Sequence, residues 1–425
     1  MKCAVDKIVN NFNLLKDMGR LGLVINQTST TSNFISSAEI IYEATKKTTG
    51  AKVTAVFGPQ HGYGQTEQDN MKETPHGTFT FLDDHNVPLY SLYSETRIPT
   101  AEQMEKIDTF IIDLQDIGCR VYTYMLTLAG CMRGASEFAK KVVVLDRGNP
   151  LGLSYYDSTT QKWQRVEGSG LHPSFHSFVG WYDLPLRHGM TMGELGNYFI
   201  VQDNLKLDYQ VILVDDLTRS QPIDVHALTT WTMPSPNIPH CFSAFLFPAF
   251  VLLEGTNVSE GRGSTLPFQL IGAPWLNARQ CISFLEKEKE FYSIDPSKPC
   301  GLVLREHQFR PTFNKYMGQI CHGIQFHIKM TENINLFKLG LTFVAYCYVF
   351  HGEHFQWAKP GYEYNFDQLP IHLILGNDSF YQFLESQPRS DDFGVFFSKF
   401  KEFVRQLDDE AQKFSQANQK YFLYK

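Results

Sequence analysis

The chain has 425 residues, 43% of them hydrophobic and 20% charged, an ordinary globular composition without the charge blocks or low-complexity tracts that keep a chain disordered. That length exceeds the size at which a single hydrophobic core usually stops growing, so two domains are expected. A formal net charge of -7 leaves no basic face for nucleic acid or for an anionic membrane, and neither is expected as a partner.

The amino terminus carries Asp6, Lys7 and several asparagines instead of an uninterrupted apolar stretch, and no segment reaches membrane-spanning length. A cytoplasmic protein is expected. Short runs rich in Val, Ile and Leu then recur at 21–25, 53–57, 109–112, 142–145 and 211–214, and they read as buried strands. Helix-length stretches at 37–47 and 125–140 lie between them. Such alternation predicts an α/β, Rossmann-like amino-terminal domain built on a parallel sheet.

The first four of these strands each run into a polar, turn-forming cluster: Asn26-Gln27-Thr28, Gly58-Pro59-Gln60-His61-Gly62, Asp113-Leu114-Gln115-Asp116, and Asp146-Arg147-Gly148-Asn149-Pro150. Open α/β sheets bind ligands at the carboxyl ends of their strands, so these clusters are expected to meet in one crevice. No G-x-G-x-x-G follows the first strand, no P-loop spacing occurs and no G-x-S-x-G elbow is present, which argues against a nucleotide cofactor and a serine hydrolase. The eight cysteines are scattered without a C-x-x-C pair, so neither a metal nor a disulfide framework is expected.

Further along, Thr191 has N-cap spacing to Glu194, which predicts a helix start, and His188 just ahead of it is left free to face a ligand. Prolines between 220 and 239 suggest a boundary, giving a Rossmann-like domain over 1–225 and a smaller mixed α/β domain over 226–425. The chain closes with Phe400, Phe403, Val404, Leu407, Ala411 and Phe414 at helical spacing, which predicts a packing helix over 397–419.

The acids in or near the expected crevice are Glu67, Asp69, Asp113, Asp116 and Asp146 from the first half and Glu254 and Glu260 from the second. Paired carboxyl groups are what glycoside hydrolysis needs, one to protonate the leaving oxygen and one to act on the other face. The stretch 113–124 combines acids, Arg120, Tyr122 and Tyr124, a mixture suited to sugar hydroxyls and C–H faces. The glycine-rich run 254–263 adds Glu254, Asn257, Glu260 and Arg262 in a loop able to approach a ligand closely.

Taken in order, these motifs, with Phe178-Val179-Gly180, 185–195 and Tyr362-Glu363-Tyr364, resemble a bacterial family once known only as a domain of unknown function and associated with exo-β-N-acetylmuramidase activity. The resemblance spans nearly the whole chain. It implies a glycosidase that trims N-acetylmuramic acid from non-reducing ends of peptidoglycan fragments, a small carbohydrate as partner and no cofactor. It also implies a cleft between the two domains. The substrate's lactyl carboxylate calls for an arginine, with Arg262 and Arg120 as candidates. Sugar-binding roles are expected for Asn26, Asp113, Gln115, Arg120, Tyr122, Tyr124, Asp146, Arg147, Asn149, His188, Glu254, Asn257, Glu260 and Arg262. Catalytic roles are expected among Gln60, His61, Glu67 and Asp116.

One departure matters. Many members of that family read Pro-Glu-His-Gly where this chain has Pro59-Gln60-His61-Gly62. An amide cannot give up a carboxyl proton, so Glu67 is expected to take over as the acid. The alternatives are a binding protein for muropeptides without turnover, and a hydrolase of an amide or ester bond in cell-wall fragments. Family members often work outside the cytoplasm; turnover of imported fragments reconciles that with the expected location.

Overall fold

The computed structural model describes residues 3–68, 71–223, 231–387 and 393–425. A short helix, α1 (Val5–Asn10), leads into β1 (Gly19–Ile25), α2 (Ser37–Lys47), β2 (Ala51–Gly58), the hairpin β3 (Gly77–Thr80) and β4 (Asn86–Ser91), then α3 (Ala101–Glu105), β5 (Thr109–Asp113), α4 (Tyr124–Glu137) and β6 (Lys141–Leu145). The small hairpin β7 (Tyr155–Asp157) and β8 (Lys162–Gln164) precedes α5 (Met192–Gln202) and β9 (Asp208–Ile212). Seven strands form one sheet in the order β3-β4-β2-β1-β5-β6-β9. All neighbours pair in parallel except β3 with β4.

The expected Rossmann-like sheet is therefore present. The chain winds outward from β1 through β2 to β4, then returns to β5 on the other side, so β1 and β5 flank the point where the winding reverses. Alternation along the strands separates two faces. Leu21, Leu23, Ile25, Ile111, Val143 and Leu145 pack under α1 and α2, while Val24, Phe57, Phe110, Ile112, Val142 and Val144 face α4 and the second half of the chain.

That second half holds α6 (Cys241–Phe250), β10 (Leu270–Ala273), α7 (Ala278–Tyr292), β11 (Leu302–Phe309), β12 (Cys321–Ile328), α8 (Leu336–Phe350), α9 (Pro370–Leu375), α10 (Ser379–Ser386) and α11 (Phe393–Asn418). Its three strands form an antiparallel sheet in the order β10-β12-β11. Of the apolar positions read for the terminal helix, Phe400, Val404, Leu407 and Ala411 are buried, and Phe403 and Phe414 are partly buried against the same core. One buried cluster runs without a break from Val24 and Phe110 of the first sheet through Leu128 of α4 to Phe250, Phe343 and Val404. The expected boundary between residues 225 and 226 lies outside the described residues.

Two differences from the sequence reading have simple causes. β9 begins at Asp208, three residues before the predicted run, because it is an edge strand whose Asp208 and Gln210 face solvent. β4 has no counterpart among the predicted strands, since Pro88 breaks its apolar pattern. Proline is tolerated there because β2 pairs with β4 only over Leu89 to Ser91, beyond the proline.

Candidate active site

The carboxyl ends of β2 and β5 meet the second half of the chain around a recess. Gln60 and His61 enter after β2, and the run 121–124 after β5. Glu254, Arg262, Tyr362 and Glu363 close it from the other side, over an apolar floor that includes Phe247 and Phe268.

The turn after β2 is tight. A Cβ on Gly58 would come within 2.9 Å of the Tyr63 amide nitrogen, and His61 sits at φ 69 with Gly62 at φ 73. A left-handed histidine is uncommon, and such backbone clusters at functional sites. The His61 ring lies 2.7 Å through Nδ1 from the Glu67 carbonyl. A carbonyl can only accept, so Nδ1 carries the proton. Burial pushes the imidazole pKa down to about 4, which leaves Nε2 as an unprotonated acceptor at neutral pH.

Glu363 lies across from His61 on a turn where it and Tyr364 adopt φ 47 and 62. The Tyr93 hydroxyl donates to its Oε2 at 2.9 Å, and Gln60 Nε2 approaches Oε1 at 3.5 Å. Gln60 is itself oriented by the Thr123 hydroxyl, which donates to Oε1 at 2.5 Å. Burial raises the pKa of Glu363 above the usual carboxylate range, against the opposing bond from Tyr93, and neighbouring Glu254 pushes it further the same way. A carboxyl whose pKa is raised by burial holds its proton to higher pH than an exposed one, which suits it to act as a general acid.

Glu254 receives the Tyr362 hydroxyl and Arg262 Nη2, both at 2.6 Å. Arg262 Nε stands 3.3 Å from Glu260, whose other oxygen meets Lys315 at 2.8 Å. The guanidinium of Arg262 is thus shared between two carboxylates.

Of the residues expected in the site, Gln60, His61, Tyr122, Tyr124, Glu254 and Arg262 line this recess. The others lie elsewhere, and their bonds explain why. Glu67, expected as the replacement acid, points its partly exposed carboxylate toward Lys72 at 4.0 Å and offers the recess only its main chain. Asp116 accepts from the Gly118 amide at 2.6 Å and faces His188 at 3.7 Å, both side chains buried below the recess wall. Asp113 forms a buried ion pair with Arg147 and receives Ser37 Oγ at 2.5 Å. Asp146 takes the Gly193 amide and the Tyr424 hydroxyl. Asn26 caps its own turn through Thr28 and donates to the Tyr124 hydroxyl at 2.8 Å. Asn149 donates to the Met190 carbonyl, and Asn257 is bonded to the backbone of His354 and Gln356. Gln115 and Arg147 border a separate recess beside Trp231. Arg120 is wholly buried and donates to the carbonyls of Ser169, Leu184 and Ile374, so it cannot meet a substrate carboxylate. Asp69 lies outside the described residues.

Glu363, Ser235 and Asn237 line the recess and Tyr93 holds Glu363 from behind it; the sequence reading does not single out any of the four. Tyr362-Glu363-Tyr364 carries part of the family resemblance without a role of its own, and the proline-rich stretch that delivers Ser235 and Asn237 reads only as a break. Among the described residues no three His, Cys, Asp or Glu side chains converge as a metal ion requires.

Two family models match the chain, exo-β-N-acetylmuramidase NamZ, N-terminal, over residues 21–242 and exo-β-N-acetylmuramidase NamZ, C-terminal, over 245–424. The peptidoglycan β-N-acetylmuramidase NamZ of Bacillus subtilis (strain 168) is 32% identical over 425 residues, 100% of this chain and 91% of that protein. Crystal structures of two DUF1343 family proteins from Bacteroides fragilis NCTC 9343 superpose with TM-scores of 0.75 and 0.69 at 26% and 24% identity. Each alignment covers 100% of this chain and 99% of the other.

Proposed function

The chain belongs to the exo-β-N-acetylmuramidase NamZ family, and from that premise we propose that it releases terminal N-acetylmuramic acid from the non-reducing ends of peptidoglycan fragments, with Glu363 as the proton donor. The observation that carries the assignment is the Glu363 carboxyl itself: buried, raised in pKa, and held at the recess by Tyr93 and Gln60.

In this reading Glu363 protonates the glycosidic oxygen as the bond from that oxygen to the anomeric carbon breaks. Glu254, fixed by Tyr362 and Arg262, is the second carboxylate and faces the positive charge developing on the sugar. A water molecule then gives its hydroxyl to the anomeric carbon and its proton to a carboxylate. The unprotonated Nε2 of His61 accepts a sugar hydroxyl, and Tyr122 and Tyr124 supply apolar faces. Gln60, where the family resemblance implies a glutamate, keeps a positioning role: its amide fills the same place and holds Glu363 from the side.

Purified protein incubated with a para-nitrophenyl N-acetyl-β-muramide and with a muramyl–glucosamine disaccharide tests the reading, with release followed by absorbance and mass. Hydrolysis abolished by Glu363→Gln supports it. Binding without release favours the muropeptide-binding alternative that Gln60 suggests.

The compartment we propose is the cytoplasm. Seven of the eight cysteines are buried, as expected of thiols packed in the core of a protein kept reduced. Among the described residues no helix is long and apolar enough to cross a membrane. Recovery of the native protein in culture or periplasmic fractions would contradict this location.

A further inference from the structure

A sugar that carries a carboxylate needs a cation that the protein has not already neutralised, and more so in a chain of net charge -7. Arg262 is shared between Glu254 and Glu260. Lys315 is held by Glu260 and by the carbonyls of Leu253 and Val258. Arg120 is buried against carbonyls away from the recess.

Arg97 is different. Its guanidinium lies flat over the Tyr93 ring at 3.9 Å, with Phe178 and Tyr364 at 5.2 and 5.5 Å. Nη1 donates to the Ser94 carbonyl at 2.6 Å, and among the described residues no carboxylate pairs with the guanidinium. Stacking uses the face of the fork and leaves its remaining edge donors for a planar, two-point contact with an incoming carboxylate. The aromatic packing also fixes the group in advance, which lowers the cost of binding. Arg97 stands just outside the lining of the recess, stacked on the residue that reaches the acid of the recess. Tyr93 is the residue whose hydroxyl holds Glu363, and the Arg97 charge is near enough to oppose the upward shift of that carboxyl.

Resting on the muramidase reading above, we propose that Arg97 binds the lactyl carboxylate of the terminal sugar and so makes the site select N-acetylmuramic acid over N-acetylglucosamine.

The test is calorimetric and does not depend on turnover. The full chain is titrated with N-acetylmuramic acid and with N-acetylglucosamine, as wild type, Arg97→Gln and Arg97→Lys. Wild type is expected to prefer the acid sugar by about 10- to 100-fold, the range for a charge-assisted contact. Arg97→Gln brings the ratio near one and leaves the N-acetylglucosamine affinity in place. Arg97→Lys, with charge but no fork, falls between. Absence of preference in wild type, or a wild-type ratio in a folded Arg97→Gln, overturns the proposal. If Arg97→Gln melts early, Arg97→Lys decides, and an undiminished ratio there overturns it equally. Wild type that binds selectively but releases no product would contradict the enzymatic reading while still supporting the role of Arg97.

Discussion

At the scale of single residues, the proposed chemistry depends on one buried carboxyl whose pKa is raised. Glu363→Gln keeps the shape and the bond from Tyr93 but removes the acidic proton, so kcat is expected to fall by about 100-fold or more. Full activity in that variant would exclude Glu363 as the acid. Its raised pKa also sets the pH profile, because activity is lost as pH rises through that value. Gln60→Glu would place a second carboxyl at the 3.5 Å approach to Glu363. Like charges so close cannot both ionise readily, and the alkaline limb of kcat/KM is expected to move to higher pH. An unmoved limb would mean that position 60 does not sense Glu363. Only part of this is legible in the sequence. Gln60, His61, Glu254 and Arg262 belong to motifs that sit on turns, whereas Glu363 lies 303 positions from its Gln60 partner, and no local pattern encodes a contact at that separation. Asp113, Asp146 and Arg120 mislead for the opposite reason: they have the composition of a site, but neighbours that a sequence does not display consume their hydrogen-bonding capacity.

At the scale of elements, the rule that parallel strands deliver ligand-binding groups at their carboxyl ends holds for β2 and β5, both of which the apolar runs reveal. It fails at β1 and β6, whose turns are expected in the same crevice but do not line the recess, and β4 goes unread because Pro88 conceals it. With β4 visible, the loop after it would offer Tyr93 and Arg97 by the same argument that offers Gln60 and His61. The start of α5 shows the converse, a local signal complete in itself. Thr191 Oγ1 accepts from the Glu194 amide and the Glu194 carboxylate accepts from the Thr191 amide, each at 3.2 Å, as the spacing predicts. Both residues are buried, so water cannot replace the lost bond. Thr191→Ala is expected to cost about 1–2 kcal/mol, near the top of the range for caps. Urea unfolding with an unchanged m-value is the measurement, and a loss below a few tenths of a kcal/mol would show that the cap is redundant.

At the scale of the molecule, the two halves share one apolar cluster, and the carboxyl terminus returns to the first sheet. Leu423 donates its amide to Glu194 at 2.8 Å, and the Tyr424 hydroxyl donates to Asp146 at 2.7 Å. Length predicts two domains, but length carries no information about how far their cores merge. One cooperative thermal transition is expected by calorimetry, and two resolved transitions would show that the halves unfold separately. The Asp146 contact adds a pH dependence whose sign can be worked out. Burial raises its pKa from 3.8 to about 6, so between those values the folded chain takes up a proton that the unfolded chain does not. Asp146 therefore costs stability in full above about pH 6 and is relieved as pH falls toward 4. His61 runs the other way: with its pKa lowered from 6.5 to about 4, the unfolded chain is the better proton acceptor, and stability is lost on acidification across that window. The two opposing effects flatten the wild-type curve. Asp146→Asn removes one of them while keeping an acceptor for the Gly193 amide, so the variant should lose more stability than wild type between pH 7.5 and pH 5, by about 1.4 kcal/mol. Parallel pH profiles for the two proteins would mean that Asp146 ionises as freely in the folded chain as in the unfolded one, and that the end of β6 is wetter than its packing against Tyr424 implies.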